Sequence, residues 1–291
     1  MKFLITIRYL IEFFLFRIIF FLLNFFPRKI SFNIFSNTFM ILGRLSKYNK
    51  IAKDNCKIVF SDFNDKEIAE IINNTWKNLG KNLYELNYLT KLINDKRAIK
   101  IIGLEKLEKI KSEQSPVIFF SIHSGNWEIC VPILDKYGCN TGAIYRHINN
   151  SLFDKFVFKK RTDALKTNKS FYTPKGKVSA KEILEGVINN KSIFLLVDQK
   201  DSAGRLINFF GKKVKTQTGF LKIARKYNLK IMPMKNIRLP DNTLQITFEE
   251  PLEHNKNYIS DDQKMLEINC IVERWIKENP ENWFWQHKRF N

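Results

Sequence analysis

The sequence predicts an α/β fold in which a central, mostly parallel sheet is flanked by helices and preceded by an N-terminal helical extension. Three observations predict it. Short continuous apolar runs such as Pro116 to Ile122 recur along the chain, the pattern of strands buried on both faces. Helical periodicity separates these runs, and two of the later ones end, like the first, in polar residues. At 291 residues the chain is long enough for one large domain with such an extension, and no internal repeat or low-complexity linker divides it. The division expected is residues 1–48 for the extension and 49–291 for the α/β domain.

The extension begins with Phe3 to Phe26, apolar and aromatic but interrupted by Arg8, Glu12 and Arg17. As a helix its 24 residues would reach about 36 Å, against about 30 Å for a bilayer core. Arg8 and Glu12, four apart, can pair on one helical face, and charges inside a bilayer normally face protein or the interface. The segment is therefore read as a membrane anchor, either spanning or deeply interfacial. No small-residue cleavage site follows it, only Pro27-Arg28-Lys29, so it is expected to be retained. A second apolar-rich helical segment runs from Pro27 to about Tyr48.

Asn64 to Glu67 has capping-box spacing, and Ile68, Ile71, Ile72, Trp76, Leu79, Leu83 and Leu86 then keep a helical stripe that reads as core. The α/β part starts near Ala98. Strands are expected over 98–102, 116–122, 141–145, 192–197, 230–236 and 243–249, and helices near 104–112, 126–137, 150–163, 179–189 and 217–227. Ser179 with Glu182 and Ser260 with Gln263 repeat the capping-box spacing. Pro132 should kink or shorten its helix, and Pro280 should stop the last one.

The balance of 49 Lys+Arg against 29 Asp+Glu leaves a net charge of +20, and 26 Phe make the chain unusually aromatic. Between Ser151 and Pro240 there are 21 Lys+Arg and only 6 Asp+Glu, with clusters at Lys159-Lys160-Arg161 and at Lys212, Lys213 and Lys215. Solvated lysine-rich faces would look the same. No zinc-finger spacing, RNP-type motif or basic heptad region is present, which argues against nucleic acid and for phosphorylated lipid or an acidic carrier protein. Cys56, Cys130, Cys139 and Cys270 form no CxxC pair, and the histidines are only His123, His147, His254 and His287. Metal and redox chemistry are not expected, and free thiols are.

The chemistry concentrates in Ser115 to Glu128, SPVIFFSIHSGNWE. A neutral imidazole at His123 can take a proton near pH 7, and a carboxylate on its other nitrogen would fix the tautomer and stabilise the imidazolium. Glu128 is the expected carboxylate. On one helix the two would face apart by about 140°, but a strand end, a tight turn and a first helical turn can bring them together. Arg146 follows the apolar run ending at Tyr145, and Asp198-Gln199 follows SIFLLV. Ligands of open α/β sheets bind beyond the carboxyl ends of the strands, so His123, Arg146 and Asp198 can line one crevice. Arg146 suits a phosphate, or else forms a structural ion pair with Asp198 or Glu128. Asp198 either binds substrate or holds Arg146 or a helix end. Backbone N–H groups at Gly125 and Asn126 are candidates for stabilising an oxyanion. Phe210-Gly211 and Trp283 to Trp285 read as packing.

Together these residues resemble the lipid A biosynthesis lauroyl/myristoyl acyltransferase family, relatives of the glycerolipid acyltransferases that carry a His, four residues, then an acid. The likeness spans nearly the whole chain: Tyr9-Leu-Ile-Glu12, His123-Ser-Gly-Asn-Trp-Glu128, Tyr145-Arg146 with Asn149-Asn150, Asp198-Gln199, Phe209-Phe210-Gly211 with Thr216 and Gly219, and Pro280 to Arg289. Lys288 and His147 are mild departures. The resemblance implies a glycerolipid-acyltransferase-like fold on the cytoplasmic face of a bacterial inner membrane. It implies transfer of a fatty acyl group from acyl carrier protein to a hydroxyl of a phosphorylated lipid A precursor, without cofactor or metal. His123 would be the general base and Glu128 its partner, with Arg146, Asp198, Gly125 and Asn126 at the substrate and Lys212, Lys213 and Lys215 meeting the acidic carrier. Another glycolipid or glycerolipid acceptor, or a non-catalytic membrane protein that binds anionic lipid, remains the alternative.

Overall fold

The computed structural model describes residues 2–23, 25–167, 169–252 and 260–290, which leaves His254 outside the described residues. In chain order the elements are α1 (Lys2–Leu23), α2 (Arg28–Leu45), α3 (Lys47–Val59), α4 (Asp65–Leu86), α5 (Leu89–Asn94), β1 (Ile99–Ile102), α6 (Leu104–Ser112), β2 (Ile118–Ser121), α7 (Cys130–Lys136) and β3 (Thr141–Tyr145). They continue with α8 (Ser151–Asp163), β4 (Phe171–Pro174), α9 (Lys177–Ile188), β5 (Ser192–Leu196), β6 (Lys200–Phe209), β7 (Lys212–Thr216), α10 (Gly219–Tyr227), β8 (Ile231–Arg238), β9 (Leu244–Phe248) and α11 (Asp261–Glu278).

The main sheet has the order β1-β9-β8-β2-β5-β3-β4. Every neighbouring pair is parallel except β8 and β9. At its centre all four residues of β2 are buried, as a strand covered on both faces requires. Alternation divides them. Ile118 and Phe120 join Ile193, Ile231, Leu221, Ile268 and Trp275 in one apolar layer, while Phe119 joins Phe194, Met232, Leu107 and Leu134 in the other. Parallel pairing of β2 with β5, Ser121 opposite Leu196, brings their carboxyl ends side by side. The residues just past those ends, His123 and Asp198, therefore meet.

The six expected strands are all present in the main sheet. Pairing adds β4 at its edge and a separate β6–β7 hairpin, neither expected from the apolar runs. The hairpin turns through Phe210 and Gly211, both with positive φ (49° and 72°), the backbone that a two-residue loop needs to match strand twist. At Asn64 the capping box forms as its spacing implies, and Ser260 caps α11 through the Gln263 N–H. Ser179 does not start its helix: α9 begins at Lys177, and the Ser179 hydroxyl accepts the Gly176 N–H from inside the first turn. The helix expected over 126–137 is a short 3-10 turn, Trp127–Ile129, followed by α7. Pro132 sits in the first turn of α7, where its missing N–H costs little.

The N-terminal region differs most from expectation. Among the described residues no helix is long and apolar enough to cross a membrane, which removes the spanning reading of α1. Arg8, Glu12 and Arg17 are the reason, and Arg8 pairs with Glu12 at 3.2 Å along the helix. Phe16, Phe20 and Leu23 of α1 pack with Phe35 of α2, Tyr84 of α4 and Phe153 and Phe156 of α8. The second helical segment breaks at Ser46, and position 48 falls inside α3. α2 lies tightly along α4, because Gly43 has no Cβ to meet the Trp76 ring and Gly80 none to meet Phe39. We predict that Gly43→Val lowers unfolding free energy by about 1 to 3 kcal/mol through overpacking, read as a drop in denaturant midpoint; an unchanged midpoint would mean that this helix contact contributes nothing.

Candidate active site

β2 ends at Ser121, and the chain turns sharply through Ser124, Gly125 and Asn126. Gly125 has φ +54°, and a Cβ there would press on the Asn236 side chain and the Ile237 backbone at 2.9 Å. Only glycine allows that approach. Polar residues from three directions hold the turn. The Asn236 amide donates to Ser124 O (2.7 Å), Asn82 donates to Gly125 O, and the Gly125 N–H goes to Asn282 O (3.2 Å). Asn126, fully buried, accepts the Glu128 N–H and donates to Glu85, itself paired in the interior with Arg238.

These bonds correct one expectation. Gly125 and Asn126 do not line the cavity, and the Gly125 N–H is already occupied by a carbonyl. They shape the turn, and the Gly125 N–H is not free for an oxyanion.

The pairing of His123 is a second correction. Its Nδ1 lies 2.8 Å from Asp198 Oδ1, while its backbone N–H donates to Asp198 Oδ2 at 3.1 Å. Trp283 Nε1 donates to the same Oδ2 at 2.8 Å. Burial alone would push the Asp198 carboxyl up, but the His123 charge and these hydrogen bonds outweigh it and hold it below the usual carboxylate range. An ionised Asp198 keeps the proton on Nδ1 and leaves the Nε2 lone pair free. The Gln199 amide nitrogen stands 3.3 Å from that Nε2, where a hydrogen-bond donor belongs. Asp198 was expected at the substrate or beneath Arg146; instead it lies buried behind the imidazole.

Glu128 is bound to a different residue. Arg161 of α8 holds it with two bonds, Nε to Oε2 at 2.6 Å and Nη2 to Oε1 at 2.7 Å. The Trp127 indole packs edge-on against the His123 ring, with centroids 5.3 Å apart, and donates Nε1 to Glu128 Oε1. Glu128 thus stands across an indole from His123 and is not its orienting carboxylate. Burial pushes the Glu128 carboxyl up, yet the Arg161 charge and bonds prevail and hold it low, while Glu128 in turn raises Arg161. Arg161 was visible in the sequence only as part of a basic cluster. One signal marked it: it lies four residues after Val157, the buried residue of α8, and so on the inward face.

His123, Trp127, Glu128 and Arg161 share a cavity of about 810 Å³ with Val131, Ala143, Phe194, Leu196 and Ala180. The polar group and the apolar wall together suit a ligand with a reactive head and a hydrocarbon tail. Arg146, Lys175 and Lys200 also line it. Arg146 is exposed, and no carboxylate pairs with it among the described residues: Asp198 and Glu128 are engaged elsewhere, and His147 pairs with Asp154 at 2.6 Å. Lys212, Lys213 and Lys215 project from β7, exposed and away from the cavity lining. Among the described residues no cluster of His, Cys, Asp or Glu is suited to a metal. Cys56, Cys130 and Cys139 are buried free thiols, and Cys270 is an exposed one.

The strand-end histidine, backed by a carboxylate, opens on an amphipathic cavity at the carboxyl end of an α/β sheet. The family model described as bacterial lipid A biosynthesis acyltransferase matches residues 1–291, and the chain belongs to that family. Among curated proteins it is similar to the lipid A biosynthesis palmitoleoyltransferase of Escherichia coli K12, 22% identical over 260 residues covering 84% of this chain and 79% of that protein. It is similar also to the lipid A biosynthesis lauroyltransferase of the same organism, 21% identical over 257 residues covering 86% and 81%. Among solved structures it is similar to the 1-acyl-sn-glycerophosphate acyltransferase of Thermotoga maritima, with a TM-score of 0.43 and 14% identity over 87% of this chain and 98% of that one.

The C-terminal residues support the site from behind. His287 Nε2 accepts the Lys200 N–H at 2.7 Å, which anchors the strand that follows Asp198-Gln199. Burial pushes the His287 imidazole down from 6.5 to about 4. A lowered imidazole favours the fold above its ordinary value, and that contribution drains away between pH 6.5 and about 4. The lowered carboxyls of Asp198 and Glu128 act with the same sign, below their ordinary 3.8 and 4.5. We therefore expect thermal stability to fall from about pH 6.5 downward, with His287→Gln flattening the upper part of that fall. A native-like pH profile in the variant would show that His287 does not control it.

Proposed function

We propose that this chain transfers a fatty acyl group from acyl carrier protein to a hydroxyl of a lipid A precursor, with His123 as general base oriented by Asp198. One observation carries the reading: with Nδ1 held by Asp198 at 2.8 Å, the Nε2 of His123 faces the amphipathic cavity, where the Gln199 amide occupies the place of a donor. An acceptor hydroxyl replacing the Gln199 amide would give its proton to Nε2 as its oxygen attacks the thioester carbon. The tetrahedral oxyanion then collapses, the C–S bond breaks, and the imidazolium returns the proton to the departing thiolate. Two of the five guanidinium N–H groups of Arg161 hold Glu128; the others are available to the oxyanion or to a phosphate. Glu128 keeps that guanidinium fixed in the cavity wall.

Arg146, Lys175 and Lys200 offer the cavity positive charge for the phosphates of the acceptor or the phosphopantetheine arm. The carrier, an acidic protein, would meet the exposed lysines of β7. α1 and α2 expose Ile11, Phe14, Leu15, Phe21, Leu42 and Leu45 to the outside. Such a face fits the headgroup boundary of a bilayer, and we place it on the cytoplasmic leaflet of the inner membrane.

Purified enzyme supplied with acyl carrier protein thioester and lipid A precursor tests the chemistry. His123→Ala should lose roughly 10²- to 10⁴-fold in kcat with fold and membrane partition unchanged. Asp198→Asn should also lose activity, because the amide no longer holds the Nδ1–H tautomer. Near-native turnover of His123→Ala would refute the base. Changing Lys212, Lys213 and Lys215 together to Glu should raise KM for the carrier at low salt and matter less at high salt. An unaltered low-salt KM would remove that patch from the carrier site.

A further inference from the structure

Among the described residues, the exposed apolar face of α1 carries a cation with no carboxylate partner, Arg17. Arg8, by contrast, is paired with Glu12. On the helix surface Arg17 has Phe14 three residues before it and Phe21 four after it, both exposed. Next to it lies a second cavity, about 120 Å³, lined by Phe16, Arg17, Phe20, Phe21, Asn87 and Phe156. It shares no lining residue with the catalytic cavity.

A second cation reaches the same place from α8. Lys160 Nζ donates to Asn87 O at 3.0 Å and lies 5.6 Å from the centroid of the Phe156 ring, so its ammonium stands over two of the lining residues. The nearby carboxylate, Asp163, is held by Lys159 at 3.1 Å. Burial lowers the Lys160 ammonium and the like charge of Arg17 adds to it, against the pull of Asp163. Among the described residues Asn87 accepts the Lys160 ammonium through its backbone oxygen, and its side-chain amide has no hydrogen-bond partner. A guanidinium thus lines one small cavity and an ammonium stands beside it, with no carboxylate among the lining residues.

We propose that this cavity seats the phosphate of an anionic bilayer phospholipid, with its acyl chains running along the apolar strip of α1. A guanidinium in the wall with an ammonium beside it matches a phosphate. The four phenylalanines in the wall favour a phosphate with hydrocarbon attached over a free ion, and Phe21 belongs both to the wall and to the exposed strip. The site is distinct from the one that reacts. It rests on the reading that α1 meets a bilayer, and would fix how deep that helix sits and how the catalytic cavity faces the lipid.

Flotation of the full chain with vesicles of phosphatidylcholine alone, or mixed with phosphatidylglycerol, tests it without any turnover. Arg17→Gln with Lys160→Gln should lose about tenfold or more of the preference for the mixed vesicles. Arg17→Lys with Lys160→Arg should keep it, and so should Lys222→Gln with Lys226→Gln, which removes the same charge from α10. Equal losses in the two glutamine pairs would mean that diffuse charge alone binds the membrane and would overturn the site. Abolition of the preference by inorganic phosphate at constant ionic strength would overturn the lipid as its source. Native acyl transfer by the Arg17/Lys160 variant in detergent, with lost vesicle preference, separates this site from the catalytic one; unchanged preference overturns the proposal whatever the turnover.

Discussion

The bond between His123 and Asp198 is the constraint on which the rest of the site depends. It forms because β2 and β5 are parallel neighbours whose carboxyl ends stop level with each other, so a residue past one end falls beside a residue past the other. Asp198 is buried, and a buried carboxylate is costly unless its lone pairs are satisfied. The His123 ring, the His123 backbone N–H and the Trp283 indole satisfy them. Without Trp283 one oxygen would lose a donor in a place water does not reach. The indole that fills the core beneath the sheet therefore also supports the chemistry above it.

Two ion pairs of different character flank this bond. Glu128 and Arg161 sit at the cavity, where the guanidinium keeps N–H groups free for a ligand. Glu85 and Arg238 lie in the interior, where Asn82 and Asn126 join them. The second pair touches no cavity wall, but through Asn126 it grips the turn that carries His123 and Glu128. A fixed turn keeps the imidazole in register with its carboxylate, and acid–base catalysis depends on that alignment.

Much of the sheet was legible because its strands are buried on both faces and so read as apolar runs. β4 and the β6–β7 hairpin were not, for physical reasons. β4 is a four-residue edge strand ending in Pro174, and β6 carries Lys200, Asp201, Ser202, Gly204 and Arg205 on a largely solvated ribbon. The candidate site was legible as a set of positions, with His123, Glu128, Arg146 and Asp198 all near one cavity. Their partnerships were not. Spacing along the chain pointed to Glu128 as the partner of His123, whereas strand order, which no local pattern encodes, delivered Asp198. Arg161 was hidden in a basic run because charge clusters resemble solvated surface until packing shows which member turns inward.

Several of the bonds that build this centre close long loops of chain. His123 and Asp198 are 75 residues apart, Asp198 and Trp283 are 85, and Arg238 and Glu85 are 153. Contacts of such high contact order form only after the entropy of closing those loops has been met, and they come late in folding. Competence should therefore be among the last properties this polypeptide acquires and among the first it loses when nicked, with the helical surroundings outlasting the centre they enclose.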